Sequence, residues 1–169
     1  MNDLPYLMPV LSVHAFLWGA IWGSFLNVLV WRFPQGMSLS RPASHCPACQ
    51  TPIRWHDNVP ILGWLWLRGR CRDCGIAIAP RYPLVEAATA GLGLALWLHV
   101  CADGRFATVP VQVLGMQFLL HFFFVFMLLA IALIDWDRTE IHDGLTVPLM
   151  GWGLLTALLL PKEIGRAHV

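Results

Sequence analysis

Residues 111–134 read VQVLGMQFLLHFFFVFMLLAIALI, without one Asp, Glu, Lys or Arg. Wound as a helix, such a run is about 36 Å long, enough to cross the ~30 Å hydrocarbon core of a bilayer. Three more apolar runs lie at Met8–Trp31, Leu84–Cys101 and Thr146–Leu160. The first is long enough to span, the second is near the minimum of ~17 residues, and the last falls short of it. The composition agrees: 57% of the 169 residues are hydrophobic and 12% are charged, where a soluble domain carries about 25% charge. Mean hydropathy is +0.62. The predicted fold is an all-α polytopic membrane protein with about four transmembrane helices. A net charge of +1 gives no global field that points to nucleic acid.

Charge placement orients the chain. Arg32, Arg41, Arg54, Arg68, Arg70, Arg72 and Arg81, seven of the eleven basic residues, fall in residues 32–83. The N-terminal tail has none, and the loop between the second and third runs has only Arg105. The positive-inside rule then puts residues 32–83 in the cytoplasm and the N-terminus outside. Asn2 and Asp3 precede the first run where a signal peptide would carry basic residues, so that run is expected to be a retained span. The acidic stretch Asp135–Asp143 emerges on the same side as residues 32–83.

That polar loop holds two cysteine pairs, Cys46-Pro47-Ala48-Cys49 and Cys71-Arg72-Asp73-Cys74. A C-x2-C turn presents two thiolates together, and two facing turns make the tetrahedral S4 cage that zinc prefers. The spacing between the pairs is slightly longer than in the usual ribbon. A reducing compartment favours metal over disulfide. We expect a structural Zn2+ on Cys46, Cys49, Cys71 and Cys74, since four protein ligands leave no open catalytic position. A redox C-x-x-C pair is the competing reading. Arg68, Arg70 and Arg72 are expected to screen the net negative cage. Trp55, Trp64 and Trp66 either pack on the knuckle or sit at headgroup level. Cys101 reads as an ordinary apolar residue near a span end.

Asp135 ends the run Ala130-Ile131-Ala132-Leu133-Ile134 without a break. An acid at membrane depth is costly and marks a functional candidate. On residues alone, the competing reading is that Asp135 and Asp137 mark the lipid–water boundary and are hydrated. Glu140 and Asp143 read as surface charges, with Asp143 a candidate cap for the next helix. In the first run, Gly19, Gly23 and Ser24 form a small-residue face for close helix approach, and Asn27 is placed for a helix–helix hydrogen bond. Glu86 is expected at the interface, paired with Arg81 or Arg32.

Taken in order, these segments resemble the type IV prepilin peptidases, membrane aspartic proteases that process type IV pilins and type II secretion pseudopilins. The segments are Gly23-Ser24-Phe25-Leu26-Asn27-Val28, the cysteine pairs, Asn58-Val59-Pro60-Ile61-Leu62, Arg68-Gly69-Arg70-Cys71, Arg81-Tyr82-Pro83-Leu84-Val85-Glu86 and Leu133-Ile134-Asp135 with Asp143 eight residues on. The resemblance implies that Asp135 is one of two catalytic aspartates. It implies cleavage of a prepilin or pseudopilin leader after a glycine, on the cytoplasmic face of the bacterial inner membrane. It also implies N-methylation of the new N-terminus with S-adenosylmethionine; no residue is assigned to bind that cofactor. The partners expected are these substrates and membrane lipid, with no nucleic acid. Two departures stand out. His142 stands where the family commonly has proline before Asp143, and the Gly-x-Gly-Asp segment that carries the second catalytic aspartate is absent from these residues.

Glu163-Ile164-Gly165-Arg166-Ala167-His168-Val169 looks like the translation of a widely used sequencing adapter, GAG ATC GGA AGA GCA CAC GTC. The expected organisation is a first transmembrane helix at 8–31, a cytoplasmic cysteine-rich loop at 32–83, the start of a truncated peptidase membrane domain at 84–162, and an adapter-derived artefact at 163–169. A chain with one aspartate of the pair is expected to be inactive as a peptidase. The alternative is a non-catalytic membrane zinc-ribbon protein that docks partners through its arginine-rich loop.

Overall fold

The computed structural model describes residues 4–102, 104–139 and 143–159. Expectations placed on Glu140, on His142 and on the adapter-like tail lie outside the described residues. The described residues are helical where they are regular: α1 Leu4–Arg32, α2 Leu62–Trp66, α3 Arg81–Val100, α4 Arg105–Thr108, α5 Val111–Arg138 and α6 Asp143–Leu159. Short 3-10 turns lie at Phe33–Gln35 and Trp55–Asn58. Three helical stretches, Tyr6–Gln35, Arg81–Val100 and Val111–Arg138, are long and apolar enough to cross a membrane. The described part of α6 runs for 17 residues, about 26 Å at the α-helical rise. The membrane helices extend past the apolar runs into polar residues. Arg81 and Tyr82 open α3, with Pro83 in the first turn where its missing N–H costs no helical bond.

The chain divides into two compact units, residues 1–118 and 119–169. In the first, α1 packs along α3 through the small residues read from the sequence. A Cβ on Gly23 would lie 2.8 Å from the Glu86 Cα, and one on Gly93 would lie 2.6 Å from the Ala15 carbonyl oxygen. One on Gly19 would run into the Thr89 carbonyl. Backbone meets backbone there because no side chain intervenes, the usual way membrane helices gain van der Waals contact. Asn27 adds the expected bond, its Nδ2 donating to the Tyr82 carbonyl at 3.2 Å.

In the second unit the Trp152 indole of α6 donates to the Leu120 carbonyl of α5 at 3.2 Å. Gly153 sits so close to the Phe124 ring that a Cβ would be 3.3 Å from it.

Candidate metal centre and acidic helix end

The loop between α1 and α3 is built from one knuckle made twice. In the first, the Cys46 N–H donates to the Thr51 carbonyl at 3.0 Å, Gln50 N–H to Cys46 at 2.9 Å, and Ile53 N–H to Ser44 at 2.8 Å. In the second, Cys71 N–H donates to Ile76 at 2.8 Å, Gly75 N–H to Cys71 at 2.9 Å, and Ile78 N–H to Gly69 at 2.7 Å. Isolated antiparallel bridges close each turn, His45 with Pro52 and Arg70 with Ala77. The residue after each second cysteine is left-handed, Gln50 at φ 59° and Gly75 at φ 74°. Glycine takes that shape without a Cβ penalty; glutamine does not.

The two turns face each other. Cys46 Sγ lies 3.7 Å from Cys74 Sγ, and Cys49 Sγ lies 4.0 Å from Cys71 Sγ. All four sulfurs lie within 4.8 Å of one another. Four sulfurs at a zinc–sulfur distance of ~2.3 Å around one ion stand about 3.8 Å apart, so the cage fits. The separations are near twice a disulfide bond, and all five cysteines are free thiols. Hydrogen bonds from the Thr51 side chain and backbone draw Cys49 down to about 6. Backbone bonds at Cys74 and Asp73 lower Cys71. Cys74 is pushed up to about 12 despite its bond to the Ile76 backbone, by burial and by the three thiols beside it. A divalent cation in the cage would be held by the thiolate forms, so its binding displaces whatever protons the sulfurs carry.

Ion pairs tie the linker between the knuckles to the second one. The Arg72 guanidinium grips the Asp57 carboxylate at 2.7 and 2.5 Å, with Asp57 buried at 6% side-chain exposure. This hydrogen bond holds Asp57 below its ordinary value. Arg54 reaches Asp73 at 3.0 Å. Of the three arginines expected to screen the cage, Arg72 is therefore committed to Asp57. Arg68 and Arg70 are exposed.

The tryptophans separate. Trp64 packs inside the loop, donating to the Ile78 carbonyl at 3.0 Å with its ring over Gly69. Trp55 and Trp66 are exposed.

Glu86 differs from its expected interfacial place. It is only 9% exposed, accepts the Ile61 backbone N–H at 2.6 Å and has the Ser24 hydroxyl within hydrogen-bonding reach. Arg32, one of its two expected partners, donates instead to the Ser38 carbonyl at 3.1 Å. The Ile61 contact was missed because it joins residues far apart in sequence. The available signal was one carboxylate inside an apolar run.

Asp135 lies on α5, which continues through it to Arg138, and its side chain is exposed. Its backbone carbonyl accepts Thr139 N–H at 2.7 Å, closing the helix end. Asp137 stands on the same last turn. Asp143 is the first residue of α6, an acid in the first turn where the helix dipole favours it.

Spanning helices with a four-sulfur knuckle slung between α1 and α3 define a polytopic membrane protein whose first loop is shaped for a structural metal. Residues 17–100 match the family model described as the bacterial Peptidase A24 N-terminal domain. The prepilin leader peptidase/N-methyltransferase of Klebsiella pneumoniae is 43% identical over 92% of this chain and 68% of its own length. That of Myxococcus xanthus is 39% identical over 98% of this chain and 46% of its own length. The type 4 prepilin-like proteins leader peptide-processing enzyme of Escherichia coli is 39% identical over 92% and 59%. The chain belongs to the prepilin leader peptidase/N-methyltransferase family. It spans about two thirds of the first relative, about half of the second and about three fifths of the third. No solved structure matches it.

Proposed function

We propose that this chain is the N-terminal part of a membrane aspartic endopeptidase of the bacterial inner membrane. The parent enzyme removes the leader of type IV prepilins or pseudopilins after a glycine. It then methylates the new N-terminus from S-adenosylmethionine. The observation that carries the reading is family membership together with Leu133-Ile134-Asp135 on an unbroken, apolar α5. Asp135 is one carboxylate of the catalytic pair. Two carboxylates held near one water split their proton affinities, so that one takes the water's proton while the other gives a proton to the carbonyl oxygen or leaving amine. The loop and Asp135 face the cytoplasm, as the arginine distribution supports. Zn2+ on Cys46, Cys49, Cys71 and Cys74 orders the loop and takes no part in peptide cleavage.

The test is Asp135→Asn in the full-length parent, assayed for leader removal with zinc content as a check on folding. We expect at least a ~10³-fold loss with zinc retained, the scale on which a catalytic acid–base group acts. Normal processing by the amide variant overturns the assignment. Alone, these 169 residues hold no Gly-x-Gly-Asp, and we expect them to cleave no prepilin; cleavage by this chain would refute the two-aspartate reading. A second reading, a non-catalytic zinc-ribbon that docks partners, draws on exposed Arg68 and Arg70. A second membrane-level aspartate in the parent gene decides against it.

A further inference from the structure

The exposed side of α2 has no role in the site just described. Leu62, Leu65 and Trp66 are 62%, 56% and 81% exposed. Spaced i, i+3 and i+4, they form one apolar face of a helical turn. The opposite side is closed by Gly63, which is buried against the Asp57 backbone, and by Trp64. Three large apolar side chains in water would be an unusual cost for a loop of this size.

The depth of α2 is fixed by one bond. Ile61, the residue before α2, gives its N–H to Glu86, the sixth residue of α3. Glu86 lies about 8 Å along the helix from Arg81, and helical side chains lean back toward the N-terminus. The Ile61 backbone therefore sits level with the first turn of the spanning helix, where α3 enters lipid. At the loop-side ends of the flanking helices, Trp31 on α1 and Tyr82 on α3 are likewise exposed, the placement of an aromatic belt. Immediately after α2 come Arg68 and Arg70. Both are exposed, and neither has an ion pair among the described residues, whereas Arg54 and Arg72 are taken by Asp73 and Asp57.

We propose that α2 is a membrane-surface wedge. Its Leu62, Leu65 and Trp66 face lies in the headgroup–acyl boundary of the bilayer that α1 and α3 cross, and Arg68 and Arg70 meet the phosphates of anionic phospholipid. Apolar residues dipping into the interface beside free basic residues are the chemistry of surface-lying helices. A single turn is too short to bind a membrane alone. Here it is tethered to spanning helices on both sides, so attachment is intramolecular.

The experiment places p-benzoylphenylalanine at position 66 and, separately, at position 62 of the full chain. The protein is reconstituted in phosphatidylethanolamine vesicles with a minority of phosphatidylglycerol, irradiated, and read by intact mass. We expect phospholipid adducts at both positions, with phosphatidylglycerol enriched severalfold over its share of the bilayer. The double substitution Arg68→Glu with Arg70→Glu should return that enrichment to the bilayer ratio while the lipid adduct persists. Crosslinks to this chain or to another polypeptide, or no adduct at either position, overturn the proposal. Adducts with no phosphatidylglycerol preference overturn its arginine half. A readout without the bulky probe compares the unaltered chain with Trp66→Phe in vesicles whose acyl chains are brominated near the headgroup. Loss of a quenched emission component is expected; equal quenching counts against the wedge.

Discussion

Ile61 combines φ 64° with ψ −55°, and Leu62 N–H bonds back to the Pro60 carbonyl at 2.6 Å. This is the strained hand of the γ-turn, rare for a β-branched residue, and such a shape costs about 1–3 kcal/mol. The Glu86 carboxylate is what holds it. Glu86→Leu leaves the part-buried Ile61 N–H unpaired and should cost about 1 kcal/mol, read as faster amide exchange at Ile61 and proteolytic nicking near α2. Glu86→Gln keeps an acceptor and should lose much less. Gly75 shows the reverse case: its φ is 74° with open space where a Cβ would stand, so Gly75→Ala should cost only the left-handed penalty of about 1–2 kcal/mol, measured in loop unfolding. Asp57 supplies the pH dependence. Its folded value is depressed by Arg72, so its contribution is present above the unfolded value of about 3.9 and is lost as pH falls through the folded one. Asp57→Asn should flatten that acid limb of loop stability. None of these partners was legible from local sequence, because each bond joins distant residues. The cysteines were legible, because metal-ligand spacing is local.

At the scale of elements, the α1–α3 seam depends on having nothing at three glycines. Gly93→Leu puts a side chain where even a Cβ would meet the Ala15 carbonyl at 2.6 Å. Pushing the helices apart should cost about 1–3 kcal/mol or more, seen as a lower midpoint of thermal unfolding in detergent. Gly91, with open space around it, is the control. The small-residue face and Asn27 were legible on α1 because helical period puts them together; their partners on α3 were not. Likewise α2 was hidden. Five residues give too short a window for periodicity, and a tertiary bond from α3 sets its position.

For the whole molecule, apolar run length carried most of the fold, since lipid demands unbroken helices and leaves few alternatives. The role proposed for Asp135 rests on resemblance, not on its surroundings. On the proposed zinc assignment, a chelator should unfold residues 44–78 while α1, α3 and α5 stay helical. Apparent zinc-binding energies of about 10–16 kcal/mol in small knuckles exceed what so short a segment gains from its own core. Limited proteolysis against circular dichroism separates the two responses. The doubled knuckle carries one more implication. Ser44–Ile53 and Gly69–Ile78 share a backbone bond pattern, residue for residue, so the halves are interchangeable parts. A chain in which the later decapeptide is transplanted over the earlier one should still bring four sulfurs together and take up the proposed Zn2+, read by metal content.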